Sequence, residues 1–157
     1  KRFKTKYNYI IPCNLYGEFD KFDAIQGHFV GALIDKIIKA KKKNEKHIKL
    51  FGDGRPKRQF MHAKDLAKII YLMVKNNINE SFNVATQENY SVKKIAKIAL
   101  EVCDFKKAKI HFIKSMPNGQ MRKDINIEKL NKIFPNFNPI LLKDGIREIY
   151  LKKMKEV

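Results

Sequence analysis

The run Leu50-Phe51-Gly52-Asp53-Gly54-Arg55-Pro56 constrains this chain more than any other stretch. Two glycines and a proline end a run, His47 to Phe51, that alternates polar and apolar residues as a half-buried strand does. Extended character resumes at Arg58 to His62, so the spacing predicts a turn between two strands. A helix follows, because Leu66, Ile69, Ile70, Met73 and Val74 recur at helical spacing until Asn76-Asn77. The glycines admit a close backbone approach, and Arg58 stands just beyond them with Phe60 on the same face. A guanidinium held there suits a diphosphate, which it can grip with two parallel hydrogen bonds.

The rest of the chain alternates in the same way. Tyr7 to Cys13 reads as a buried strand, and Asn14 to Ala24 as an irregular loop. Ile25 to Lys43 reads as a helix with Phe29, Leu33, Ile34, Ile37 and Ile38 on its inner face. Ser81 to Ala85 is a strand, Ser91 caps a helix running to Val102, and Lys109 to Ile113 is a strand. A loop over Ser115 to Met121 precedes helices at Ile127 to Ile133 and Leu142 to Lys155. The expectation is an α/β or α+β domain, with 157 residues and 44% hydrophobic content giving it a core.

The formal charge of +18 raises nucleic acid as a partner, but only five of the 34 basic residues are arginine. Lysines gathered at Lys39 to Lys46, Lys93 to Lys97, Lys106 to Lys109 and Lys152 to Lys155 read as solvated helix ends. No nucleic-acid partner is expected, nor a membrane, since no apolar run approaches the roughly 20 residues a span needs. Cys13 and Cys103 stand far apart with no ligand-spaced neighbours, so we expect free thiols, no metal site and a cytoplasmic protein.

Several polar residues allow two readings from the residues alone. His28, before a helix and after a polar loop, is either a surface histidine or a general acid or base. His62 reads as the residue that ties down the following helix, and His47 and His111 as surface positions on strands. Arg58 is either a phosphate ligand or the partner of an aspartate. Asn14, at the end of the first strand, is either a turn residue or a ligand contact where open α/β sheets bind.

Taken in order, these segments resemble the GDP-L-fucose synthase family of the extended short-chain dehydrogenase/reductases. The resemblance rests on Pro12-Cys13-Asn14-Leu15-Tyr16-Gly17, Asp20 to Asp23, and His28 before Ala32-Leu33-Ile34. It continues through Phe51 to Leu66, Phe82 to Ala85 with Ser91 to Ala96, and Lys114 to Lys123. It implies the last strands of a Rossmann-type fold plus a smaller mixed α/β substrate-binding subdomain over residues 1–157. The implied activity is an NADP-dependent 3,5-epimerase/4-reductase acting on a GDP-linked 4-keto-6-deoxy sugar, as a homodimer. Within it, His28 matches the general acid, also beside the cofactor. Pro12, Cys13, Asn14 and Leu15 match the loop at the nicotinamide, and Lys36, Phe51, Arg58 and Asn118 match substrate contacts.

The family pattern carries threonine at Cys13, arginine at Lys36, tryptophan at Phe51 and aspartate at Asn118, which points to a variant sugar such as a GDP-6-deoxy-heptose. Cys13 reads as a small strand-end residue. No glycine-rich phosphate loop follows a first strand, and Tyr71 with Lys75, or Tyr90 with Lys94, do not match the family's Tyr-x-x-x-Lys pair. The chain, which begins at Lys1, is therefore expected to be the C-terminal half, inactive alone. Another nucleotide-sugar epimerase or dehydratase, or a non-catalytic basic nucleotide- or nucleic-acid-binding module, remain the alternatives.

Overall fold

The computed structural model describes residues 7–23 and 26–156. The chain runs through β1 (Ile10–Pro12), β2 (Asn14–Tyr16), α1 (Phe29–Lys42), β3 (His47–Phe51), β4 (Lys57–Arg58), β5 (Phe60–His62) and α2 (Ala63–Lys75). It continues with β6 (Phe82–Val84), β7 (Tyr90–Ser91), α3 (Val92–Val102), β8 (Lys109–Ile113), β9 (Arg122–Lys123), α4 (Glu128–Ile133) and α5 (Leu142–Lys155). Three parallel ladders form the frame, β1 with β6, β2 with β5 and β3 with β8. A smaller sheet places β4 between antiparallel β7 and parallel β9.

Local chemistry explains the helix starts. Ser91 accepts the Lys94 N–H at 3.1 Å, and the His62 ring Nδ1 accepts the Lys64 N–H at 3.2 Å, so both residues cap as expected. Lys39, Lys41 and Lys42 crowd the last turn of α1, where cations face the negative end of the helix. The helix itself begins at Phe29; an earlier start at Ile25, like the loop end at Ala24, lies outside the described residues.

Several expectations are corrected. The strand read over Tyr7 to Cys13 is confined to Ile10–Pro12 and is not buried throughout, since Tyr7, Tyr9 and Ile11 are exposed while Ile10 packs inward. Strand alternation separates these residues, a period that the continuous apolar run conceals. The loop read from Asn14 opens instead with β2, held by pairing to β5, a partner remote in sequence. Gly52 and Gly54 do make a turn, each with positive φ, but the strands around it do not pair with one another. The Gly52 N–H extends the β3–β8 ladder to Ile113 O at 3.1 Å, and Gly54 O accepts the Lys93 N–H at 2.9 Å. The turn is thereby clamped to α3 and hands the chain to another sheet. β9, read as outside any element, exists only through its pairing with Lys57 and Arg58.

Two apolar cores result. One gathers Leu33, Ile34 and Ile37 of α1 with Ile48, Ile95, Ala99, Ile146 and Ile149. The other packs Ile69 and Met73 of α2 against Met61, Phe82, Val84 and Leu130. Both are built from helix faces whose stripes were legible as such, and each fully buried isoleucine contributes about 1.5–3 kcal/mol. Among the described residues no helix is long and apolar enough to cross a membrane.

Gln59, between β4 and β5, joins the cores. Its buried amide donates to Thr86 O at 2.8 Å and accepts the Ile125 N–H at 2.8 Å, while its own carbonyl accepts from Asn14 Nδ2 at 2.8 Å. Gln59→Leu keeps the volume but strands a backbone carbonyl and an N–H. At roughly 1–3 kcal/mol per stranded group, it should cost about 2–4 kcal/mol in urea unfolding; a loss below about 0.5 kcal/mol would contradict the role given to the amide.

Candidate functional site

A cleft of about 1100 Å³ opens between the two cores, where β1 ends at Pro12 and the chain passes into β2. Cys13, Asn14, Leu15, His28, Lys36, Phe51, Arg58 and Asn118 all line it. Pro12 does not; it stands in β1 opposite Val84.

One wall is cationic and aromatic. The Arg58 Nη1 donates to Lys57 O at 2.7 Å, and among the described residues the guanidinium pairs with no carboxylate, which removes the reading of Arg58 as an aspartate's partner. Gly119 lies beside it, where even an added Cβ would come only within 3.8 Å of Nη2. Lys36 Nζ donates to Lys49 O at 3.2 Å and sits 5.2 Å from the Phe51 ring centroid, a cation–π pair on the rim. Burial pushes the Lys36 ammonium below the ordinary lysine range.

Asn118 has a local duty as well. Its Oδ1 accepts the Asp53 N–H at 2.7 Å, and a Cβ on Gly52 would collide with that same oxygen. Asp53 in turn accepts the Arg55 N–H at 2.9 Å and pairs with the Arg55 guanidinium, which holds its carboxyl below the usual range. The side-chain carbonyl of Asn118 is thus engaged in shaping the glycine turn, and only its Nδ2 is left for a ligand.

The opposite wall carries the ionisable chemistry. His28 immediately precedes α1, its side chain 83% exposed, with ring Nδ1 2.9 Å from Oδ1 of Asp20, whose own side chain is only 8% exposed. Asp20 was not singled out from the sequence as a working residue, although it lies in a loop closed by Gly17 and Gly27; nothing in local spacing says that this loop folds back onto the start of the helix. Asn14 leaves Oδ1 free once Nδ2 is bound to Gln59 O. The Cys13 thiol is buried and burial pushes it up, so it is an inert wall atom. Cys103, raised to about 12 by burial, lies in the core away from the cleft.

Beneath the cleft, Tyr16 and His62 meet edge to face with centroids 5.1 Å apart. The Tyr16 hydroxyl and His62 Nε2 are both buried without a hydrogen-bond partner. Because His62 Nδ1 accepts from Lys64, its proton sits on Nε2. Burial raises the Tyr16 hydroxyl and lowers the imidazole. Neither had been identified as part of a site. Tyr71 lies exposed on α2 with Lys75 over its ring, and Tyr90 and Lys94 belong to different elements, so neither pair forms a catalytic couple in the cleft. His47 and His111 stack at 4.7 Å on β3 and β8, apart from the cleft lining. Among the described residues no group of His, Cys, Asp and Glu could hold a metal ion.

Asn14 at the start of β2, Arg58 beyond the glycine turn and His28 before α1 thus share one cleft of a mixed α/β fold with parallel strands. The chain belongs to the NAD dependent epimerase/dehydratase family, whose model matches residues 1–85. It is 34% identical over 143 residues to the GDP-L-colitose synthase of Yersinia pseudotuberculosis, covering 90% of this chain and 46% of that protein. Against the GDP-L-fucose synthase of Dictyostelium discoideum the identity is 30% over 152 residues, covering 94% and 47%. The crystal structure of a GDP-L-fucose synthetase from Naegleria fowleri bound to NADP matches with a TM-score of 0.86 at 24% identity, covering 95% of this chain and 47% of that one. At that identity the likeness speaks for the Rossmann-type α/β fold. The chain spans about half the length of the curated relatives it matches.

The buried imidazole has a consequence for stability. With the folded-state value of His62 depressed below the ordinary one near 6.5, the unfolded chain takes up the proton first. Stability present above that value should fall as pH drops through it toward the folded-state value. His62→Asn keeps a capping oxygen and removes the titration, so Tm measured against pH should lose part of its acid slope. An unchanged slope would show that His62 is not the group responsible.

Proposed function

We propose that this chain forms the substrate side of an NADP-dependent 3,5-epimerase/4-reductase for a GDP-linked 4-keto-6-deoxy sugar. The observation that carries the reading is Arg58, a guanidinium without a carboxylate partner, on the same cleft as an exposed, carboxylate-held histidine. The fork of Arg58 binds the diphosphate, and Phe51 with Lys36 over its ring offers a flat platform for the base or ribose. Asn118 Nδ2 and the rigid Gly52–Gly54 turn bound the same end. The family and the names of the relatives support a GDP-sugar, and the changes at Lys36, Phe51 and Asn118 leave the sugar itself open.

At the other end, His28 Nε2 donates a proton to the carbon next to the ketone after a base has removed one from the opposite face. The exposure of His28 lets solvent restore that proton. Asn14 Oδ1, Leu15 and the small buried Cys13 form a wall with one polar acceptor in apolar surroundings, which fits the nicotinamide end of NADP. No glycine-rich phosphate loop occurs in these residues to hold its diphosphate. In its reduced form, NADPH, the cofactor would supply the hydride for reduction of the 4-keto group. A cytoplasmic homodimer belongs to the same proposal; two free buried thiols suit a reducing compartment, and sedimentation at twice the protomer mass is the expected outcome.

In the complete natural protein, Arg58→Ala should raise KM for the GDP-sugar about 10–100-fold, as expected for losing a charged hydrogen-bonding group, with little change in kcat or NADPH affinity. Equal loss of NADPH affinity would remove Arg58 from the substrate wall. His28→Ala should slow epimerisation by about 10²–10⁴-fold while NADPH still binds, read as product stereochemistry by NMR. Unchanged stereochemistry would end the assignment of His28.

A further inference from the structure

We infer that Asp20 is the positioning residue for His28, fixing its proton on Nδ1 so that Nε2 alone faces the substrate; this rests on the role proposed for His28.

Residues 17–23 together with Gly27 bring this carboxylate to His28. Asp20 N–H donates to Gly17 O at 3.2 Å, Asp23 N–H to Lys21 O at 3.0 Å and Gly27 N–H to Asp23 O at 3.0 Å. A Cβ on Gly27 would collide with the Lys21 and Asp23 carbonyls, so glycine is what lets the loop close against His28. At Gly31, in the first turn of α1, a Cβ would stand 3.1 Å from Lys21 O and 3.3 Å from Asp20 Oδ2. The carboxylate is therefore packed at the positive end of the helix, where a negative charge is favoured.

Its bonding shows what the group is for. Oδ1 accepts the Lys21 N–H at 2.8 Å and meets His28 Nδ1 at 2.9 Å. Oδ2 is buried with no hydrogen-bond partner, and α1 has no side-chain cap among the described residues. A carboxylate kept for capping would place its oxygens on the free N–H groups of the helix, and one kept for an ion pair would meet a lysine or arginine. Asp20 does neither. Among the described residues the one side chain it holds is an imidazole that lines the cleft. A carboxylate offers only lone pairs, so the shared proton belongs to His28 Nδ1.

During the proposed epimerisation the Nε2–H bond of the imidazolium breaks and a C–H bond forms at the enolate carbon, whose electron pair takes the proton. The ring is left neutral, with Nδ1–H still on Asp20, and solvent then returns a proton to Nε2. Without Asp20 the neutral ring is free to rotate or to keep its proton on Nε2, so fewer encounters have the reacting nitrogen aimed at the sugar.

The test uses the complete natural protein carrying Asp20→Asn, which keeps size and hydrogen-bonding capacity but removes the charge. Solvent deuterium incorporation into the GDP-4-keto sugar should slow on the order of 10²-fold, while KM for that sugar stays within about twofold. In 15N spectra of the neutral ring, wild-type His28 should carry its proton on Nδ1, and the variant should shift toward Nε2–H. Undiminished exchange in Asp20→Asn, with His28→Ala impaired, overturns this inference alone. Undiminished exchange in His28→Ala overturns the reading of His28, and this inference with it. A wild-type ring protonated on Nε2 overturns the inference without any variant, whether or not Asp20→Asn folds.

Discussion

The buried amide of Gln59 is the interaction on which the rest of the architecture depends. It sits where the chain leaves β4 for β5 and bonds the loop after β6 and the segment entering α4, while the backbone carbonyl of the same residue accepts from the Asn14 side chain at the start of β2. Thr86 adds its hydroxyl to Phe60 O at 3.2 Å. Inside a dry core each of these bonds is costly to leave unmade, so the set acts as one unit. It is this unit that holds Asn14 on one wall of the cleft and Arg58 on the other, one residue away from the amide itself.

The cleft inherits its chemistry from the seam it occupies. One core supplies the strand end with Cys13, Asn14 and Leu15, and the other supplies α1 with His28 at its start and Lys36 along it. Elements on both sides bring the Arg58 guanidinium and the His28 imidazole to the same cleft. Part of the large positive charge is paired at the surface: Lys39, Lys64, Lys129, Lys143, Lys152 and Lys153 each meet a carboxylate, where such pairs contribute only about 0–1 kcal/mol.

Much of this was legible in the residues. The apolar stripes of α1 and α2 predict helices, and His62 and Ser91 cap as read. The residues named for the site, remote from one another in sequence, all line the cleft except Pro12. What escaped was everything carried by contacts remote along the chain. β2 and β9 are too short to show a period and exist only through their ladder partners. The glycine turn looked like a hairpin because turn chemistry reports a reversal without saying which strand receives it. Tyr16 falls in a stretch that reads as loop and His62 reads as a helix tie, and only the fold reveals that each has a buried polar atom without a partner among the described residues.

By itself, then, the sequence determined the helices, the caps at His62 and Ser91, the glycine turn and the inventory of polar groups that come to line the cleft, because periodicity, capping and steric freedom act over a few residues. Tertiary structure decided which strands pair, that the Asn118 carbonyl serves the turn, that Arg58 meets no carboxylate among the described residues and that Asp20 reaches His28. Those outcomes depend on which distant groups share a water-poor space, and no local pattern encodes that.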